Sequence, residues 1–154
     1  MYVASKALQS VGAISTAIVR VPVFHGLTAA GKWSNQPAAE TFIFGSTRGI
    51  LLFDTTGYKS VRLIVNKQGN AAKTGATLEV KYKSGAYSTV VGDYSQIGTS
   101  PVTVAIDAAN TMLNSGWISL ATAAKGASML IAIIGKGGDG ILDPKFGAID
   151  IDFK

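Results

Sequence analysis

The residues GKGGDGILDP, 135–144, carry the most suggestive spacing in this chain. Gly135, Gly137 and Gly140 fit G-x-G-x-x-G and follow the apolar run SMLIAII, as the glycines of a dinucleotide-binding turn follow a strand. That chemistry needs a helix directly after the loop, because the amides at its N-terminus hold the pyrophosphate. Here Pro144 follows Gly140 closely and the next residues alternate as a strand, so no βαβ unit can form. The loop is therefore read as a tip joining the last two strands, with glycines supplying positive φ and Asp139 in a turn role. A calcium site on Asp139 and Asp143 is the lesser option. The EF-hand order is absent, and GGDGILD is a single off-register copy of a repeat that binds calcium only when stacked.

Other chemistry is sparsely provided for. There is one histidine, His25, and no cysteine, so a zinc site lacks ligands. No G-x-S-x-G elbow accompanies the histidine. Asp150 and Asp152 stand at i, i+2, about 7 Å apart along a strand, within the range of an inverting glycosidase pair. Any two alternate positions on a strand share that spacing, and the pair reads as a solvated face. Among the aromatics, Trp33, Tyr58, Tyr82, Tyr87, Tyr94 and Trp117 could stack on sugars if exposed. Tyr87 and Tyr94 flank the turn-rich YSTVVGDY and are the expected exposed pair, while Trp117 is expected to anchor the core. No catalytic group and no cofactor is expected.

The elements that must carry these residues are strands. TLEVKYK (77–83), AIDIDFK (148–154), VTVAID (102–107) and SVRLIVN (60–66) all alternate apolar and polar residues, the pattern of half-buried antiparallel strands. GILLFD (49–54) and SMLIAII (128–134) are apolar on both faces and read as central strands. Turn signals such as DTTG, KSGAY, NSG and KGGDG punctuate them at short intervals, which argues an all-β sandwich or barrel. Helical signal is limited to a capped turn in DAANTMLNSG and a short alanine-rich run in LATAAKGA. Two units are expected: an N-terminal arm over 1–45 and a β-sandwich over 46–154. Within the arm, AIVRVPVF either adds one strand to the sheet, interrupted by Pro22, or reaches a neighbouring subunit. Val19, Val21, Val23, Phe24 and Trp33 are its candidate contact residues, with Tyr87 and Tyr94 on the sandwich.

Bulk composition narrows the function. At 154 residues the chain suits one domain with a real core. No apolar run approaches the ~20 residues of a membrane helix, and the first residues lack the compact apolar stretch of a signal peptide. Only 15% of residues are charged, against roughly 25% in an average soluble domain. A surface so poor in charge suits burial against other protein, since interface cores are depleted in charged residues. Six of the 14 basic residues lie between Lys59 and Lys83. Lys81 and Lys83 alternate with Val80 and Tyr82 as the wet side of a strand does, so a nucleic-acid partner is not expected.

The run GYKSVRLIV, LEVKYKSGAYSTV, PVTVAID and GWISLATAAKGASMLIAIIGKGGDGILDPKFGAIDIDFK resembles small jelly-roll-like β-sandwich proteins of tailed-bacteriophage virions, head decoration (cement) proteins among them. The resemblance spans about residues 57–154 and rests on a Y…VRL strand, a W strand, a G-G-D-G…D-P-x-F-G loop and the alternating strand after it. It implies a non-enzymatic virion component on the capsid surface, made in the host cytoplasm. Its partners would be the major capsid protein and copies of itself, as a homotrimer, with no membrane involved. The alternative from another class is a carbohydrate- or receptor-binding module of a phage tail or fibre, with a glycan as ligand.

Overall fold

The computed structural model describes residues 17–25, 39–43, 49–68, 76–106, 112–137 and 145–154. They form eleven strands: β1 (Val19–His25), β2 (Thr41–Phe42), β3 (Ile50–Phe53), β4 (Ser60–Gln68), β5 (Thr77–Ser84), β6 (Ser95–Gln96), β7 (Val102–Ala105), β8 (Met112–Asn114), β9 (Ile118–Ser119), β10 (Met129–Lys136) and β11 (Lys145–Phe153). Two short 3-10 turns, Val91–Asp93 and Thr122–Ala124, are the only helical pieces among the described residues. All pairings between strands are antiparallel.

The strands make two sheets packed face to face. The first runs β1-β11-β4-β8, with β9 also on β4; the second runs β2-β10-β5-β6, with β3 also on β10 and β7 on β5. The short strands lie end to end: β2 and β3 share one edge of β10, β6 and β7 one edge of β5, and β8 and β9 one edge of β4. Each sheet therefore has four strand positions. Taking each end-to-end pair as one position, the chain crosses between sheets at every step except from β5 to β6 and β7, which is jelly-roll order.

Period-two patterning sets which side chains meet inside. Across β4 and β11, Val61 faces Phe153, Leu63 faces Ile151, and Val65 faces Ile149, all buried. Across β5 and β10, Val80 faces Ile133 and Tyr82 faces Ile131. The residues 1–45 are not all apart from this sandwich. β1 pairs with β11, and Val21, Val23 and Phe24 pack against the main core, so of its two expected roles this stretch takes the in-sheet one.

Two β-bulges correct the parity of the ladder. In β1 the register slips between Pro22 and Phe24, which turns Phe24 towards the core and His25 outwards. In β11 it slips between Phe146 and Ala148, and the extra Gly147 lets Phe146 face inward with no exposed surface. Opposite Phe146, Lys67 also lies buried at this end of the sandwich.

Three sequence expectations change. GILLFD is not central: β3 pairs only with β10 among the described strands, and Leu52 is 69% exposed. An apolar run on both faces signals cover on both faces, and here one face of the edge strand is left open. Trp117 is half-buried outside the core, beneath two cations. Met112–Asn114, expected within a helical turn, forms a strand on β4.

At one end a side-chain latch ties the β3–β4 turn to the segment before β10. Thr55 is fully buried; its hydroxyl donates to the Ala124 carbonyl at 2.6 Å and accepts from the Gly126 amide at 3.0 Å. The shape-conserving Thr55→Val change strands both backbone groups and is expected to cost about 1–3 kcal/mol, read as a lower urea midpoint with unchanged slope.

Candidate interaction surface

The outer face of the first sheet is an ionic ladder across three strands. The register places Arg20 of β1 and Arg62 of β4 on either side of Asp152 in β11. Arg20 Nε and Nη2 donate to the two carboxylate oxygens at 2.7 and 2.9 Å, and Arg62 Nε donates to Oδ2 at 2.9 Å. One step along, His25 Nε2 lies 2.6 Å from Asp150 Oδ1, which the bulge in β1 makes possible. Arg62 also sits 4.5 Å from the centroid of the Trp117 ring, and Lys154 Nζ lies 4.4 Å from it, both at cation–π distance.

Asp150 and Asp152 are thus not a solvated face. Asp152 is fully buried and Asp150 nearly so, each covered by its basic partners. Burial alone pushes the Asp152 carboxyl up, but the hydrogen bonds and charges of Arg20 and Arg62 outweigh it and hold the group below its ordinary value. A carboxylate held ionised in this way suits a strand clamp, the reverse of the raised carboxyl that a general acid needs.

The outer face of the second sheet is of opposite character. Leu130, Ala132 and Ile134 on β10 face outwards beside Phe42 on β2 and Ile50 on β3, and all but the half-buried Ile50 are buried. Their cover comes partly from the segment between β5 and β6, which lays Tyr94 and Val91 over them. Tyr94, expected to be exposed, is 4% exposed and meets Phe42 edge-on at 5.3 Å between ring centroids. Burial raises its hydroxyl above the ordinary tyrosine value. The apolar stripe does not end under this cover: Leu52, level with Leu130, is open to solvent, as are Val90 and Tyr87 beside the covering turn. On the far side of β10, Lys83 and Lys81 of β5 line the stripe, with Lys81 Nζ 2.8 Å from Glu40 Oε2.

Val19 is 37% exposed at the start of edge strand β1, next to the more exposed Ile18. Val21, Val23 and Phe24 make their contacts within the chain. Trp33, Asp139 and Asp143 lie outside the described residues, so the calcium option does too. Of the opening glycines, Gly135 is an ordinary strand residue facing Thr41 and Leu78, without positive φ. β10 and β11, which flank this loop, belong to different sheets. Among the described residues no group of three or more His, Cys, Asp or Glu is arranged to hold a metal ion, and no helix is long and apolar enough to cross a membrane.

The residues that sequence reasoning missed are Arg20 and Arg62, and the role of Tyr94, whereas the doubly apolar SMLIAII forms the strand buried on both faces that its pattern predicts. Only the alternation of β11 hinted that Asp152 had a cross-strand partner; which residues those were depends on register. Comparison of the chain with protein-family models, curated proteins and solved structures finds no match.

Proposed function

We propose that this chain is a non-enzymatic structural protein of a virion, a capsid decoration or cement protein that binds the lattice through subunit contacts and assembles with copies of itself as a trimer. The observation that carries the reading is the apolar exterior of the second sheet. It continues past its own cover into Leu52, with Val90 and Tyr87 exposed beside the turn that makes that cover. Exposed apolar groups bordering an already buried apolar cluster favour a protein partner. The low charge content of the chain acts in the same direction. The resemblance to phage decoration proteins supplies the identity of the lattice. The ionic ladder complements this surface, since it fixes the opposite face without needing a partner there.

Leu52→Glu tests the surface. The side chain is 69% exposed on an edge strand, so its replacement is expected to leave the protomer folded, read as an unchanged far-UV circular dichroism spectrum. Sedimentation velocity is expected to report a trimer for the native chain and a monomer for the variant. A native chain that sediments as a monomer at every concentration, with no effect of the variant, would overturn this reading.

A further inference from the structure

The segment between β5 and β6 also walls an open cleft of about 400 Å³, lined by Tyr82, Lys83, Ser84, Asp93 and Ser95. Its polar groups have no part in joining the two sheets, yet the backbone that presents them is firmly braced. Tyr94 anchors it in the apolar cluster, and the tyrosine hydroxyl donates to the Ser88 carbonyl at 3.1 Å. The Ser88 hydroxyl donates in a short contact to Asp93 Oδ2 and accepts from the Val90 amide at 3.0 Å. The 3-10 turn closes with the Asp93 amide on the Val90 carbonyl at 3.1 Å. Asp93 is therefore held in place with Oδ1 free of the Ser88 contact. Lys83 Nζ makes one bond, to the Ser84 carbonyl at 3.1 Å, which leaves further N–H groups.

We infer that this cleft is a saccharide-binding site. One carboxylate, one ammonium and two serines line a shallow opening beside Tyr82, whose ring packs towards the core. The exposed Tyr87 ring stands on the same segment. Asp93 would accept from sugar hydroxyls, Lys83 would donate to sugar oxygens, and the exposed Tyr87 ring would cover the apolar face of the pyranose. The presence of Asp93 beside Lys83 disfavours phosphate and other simple anions. The cleft has no enclosed apolar slot for a nucleobase. The inference does not depend on the capsid reading, because the cleft uses neither Leu52 nor the ionic ladder.

The test begins with the full chain on a printed glycan array. The strongest binders are then titrated as free oligosaccharides by saturation-transfer NMR. Asp93→Asn and Lys83→Met are expected each to weaken binding about tenfold or more, the loss of a charged hydrogen bond, with thermal midpoints close to the native one. Leu52→Glu is expected to bind sugar as the native chain does, which separates this site from the assembly surface. If the native chain binds no glycan on the array, or if neither Asp93→Asn nor Lys83→Met weakens the binding found, the inference is overturned.

Discussion

Asp152→Ala is expected to destabilise the fold by about 3 kcal/mol at neutral pH, the low end for removing one member of a buried ionic cluster. The loss comes less from a missing attraction than from what stays behind. Arg20 is half exposed and can turn to water, but the Arg62 side chain is only 20% exposed and sits against Trp117. Its guanidinium would lose its carboxylate where water replaces it poorly. The pH dependence has a defined sign. Because the Asp152 carboxyl is held below its ordinary value of 3.8, the unfolded chain binds its proton first as pH falls. The stability it contributes is present above about pH 3.8 and is lost below it, as pH drops through the folded-state value. Urea midpoints of native and variant chains should therefore differ widely at pH 7 and converge in acid. A constant gap across that range would mean that the carboxylate acts by packing and not by charge. Glu79, whose carboxyl burial raises above 4.5, works against folding as pH climbs past that value, so the comparison must be between variants at each pH.

Phe153→Ala is expected to cost about 3–5 kcal/mol, the range for emptying an aromatic site in a core. Phe153 is 1% exposed, lies 4.7 Å from Phe53 between ring centroids, and lies 5.5 Å from Tyr58. It joins both sheets, since Phe53 belongs to β3 and Phe153 to β11. On its own sheet it stands between Val19 of β1 and Val61 of β4. Alanine would leave a void bounded by two rings that cannot collapse together, because each is fixed on a paired strand or tight turn. The thermal midpoint should fall by roughly 10 °C for a domain of this size. Phe153→Leu should recover most of the loss, because it refills the volume at a cost of about 1.5 kcal/mol or less. A variant Phe153→Ala with a native midpoint would show that the sheets are held mainly by other contacts.

The strands that alternate strictly were legible because their periodicity is itself the cause of the sheet. Leu63, Val65, Leu78, Val80, Ile149 and Ile151 all stand inside as their spacing requires. What periodicity cannot give is register, and the rest followed from register. A single extra residue in β1 sends Phe24 inward and brings His25 to Asp150. Arg20 and Arg62, 42 positions apart in sequence, meet at Asp152 only because β11 runs between β1 and β4. Both doubly apolar runs read as central, yet only β10 is buried on both sides, while β3, apolar throughout as well, is an edge that exposes Leu52. Tyr94 misled because turn residues around it suggest solvent, whereas its ring reaches back over β10. The candidate surface is thus made of residues whose types were visible and whose placement was not.

The most direct measurement is co-sedimentation of the purified chain with tailed-phage capsids lacking their decoration protein, with Leu52→Glu alongside. The native chain is expected to pellet saturably at a fixed stoichiometry per capsid, and the variant much less. A native chain that stays in the supernatant at every ratio, or a variant that pellets equally well, would contradict the proposed capsid role.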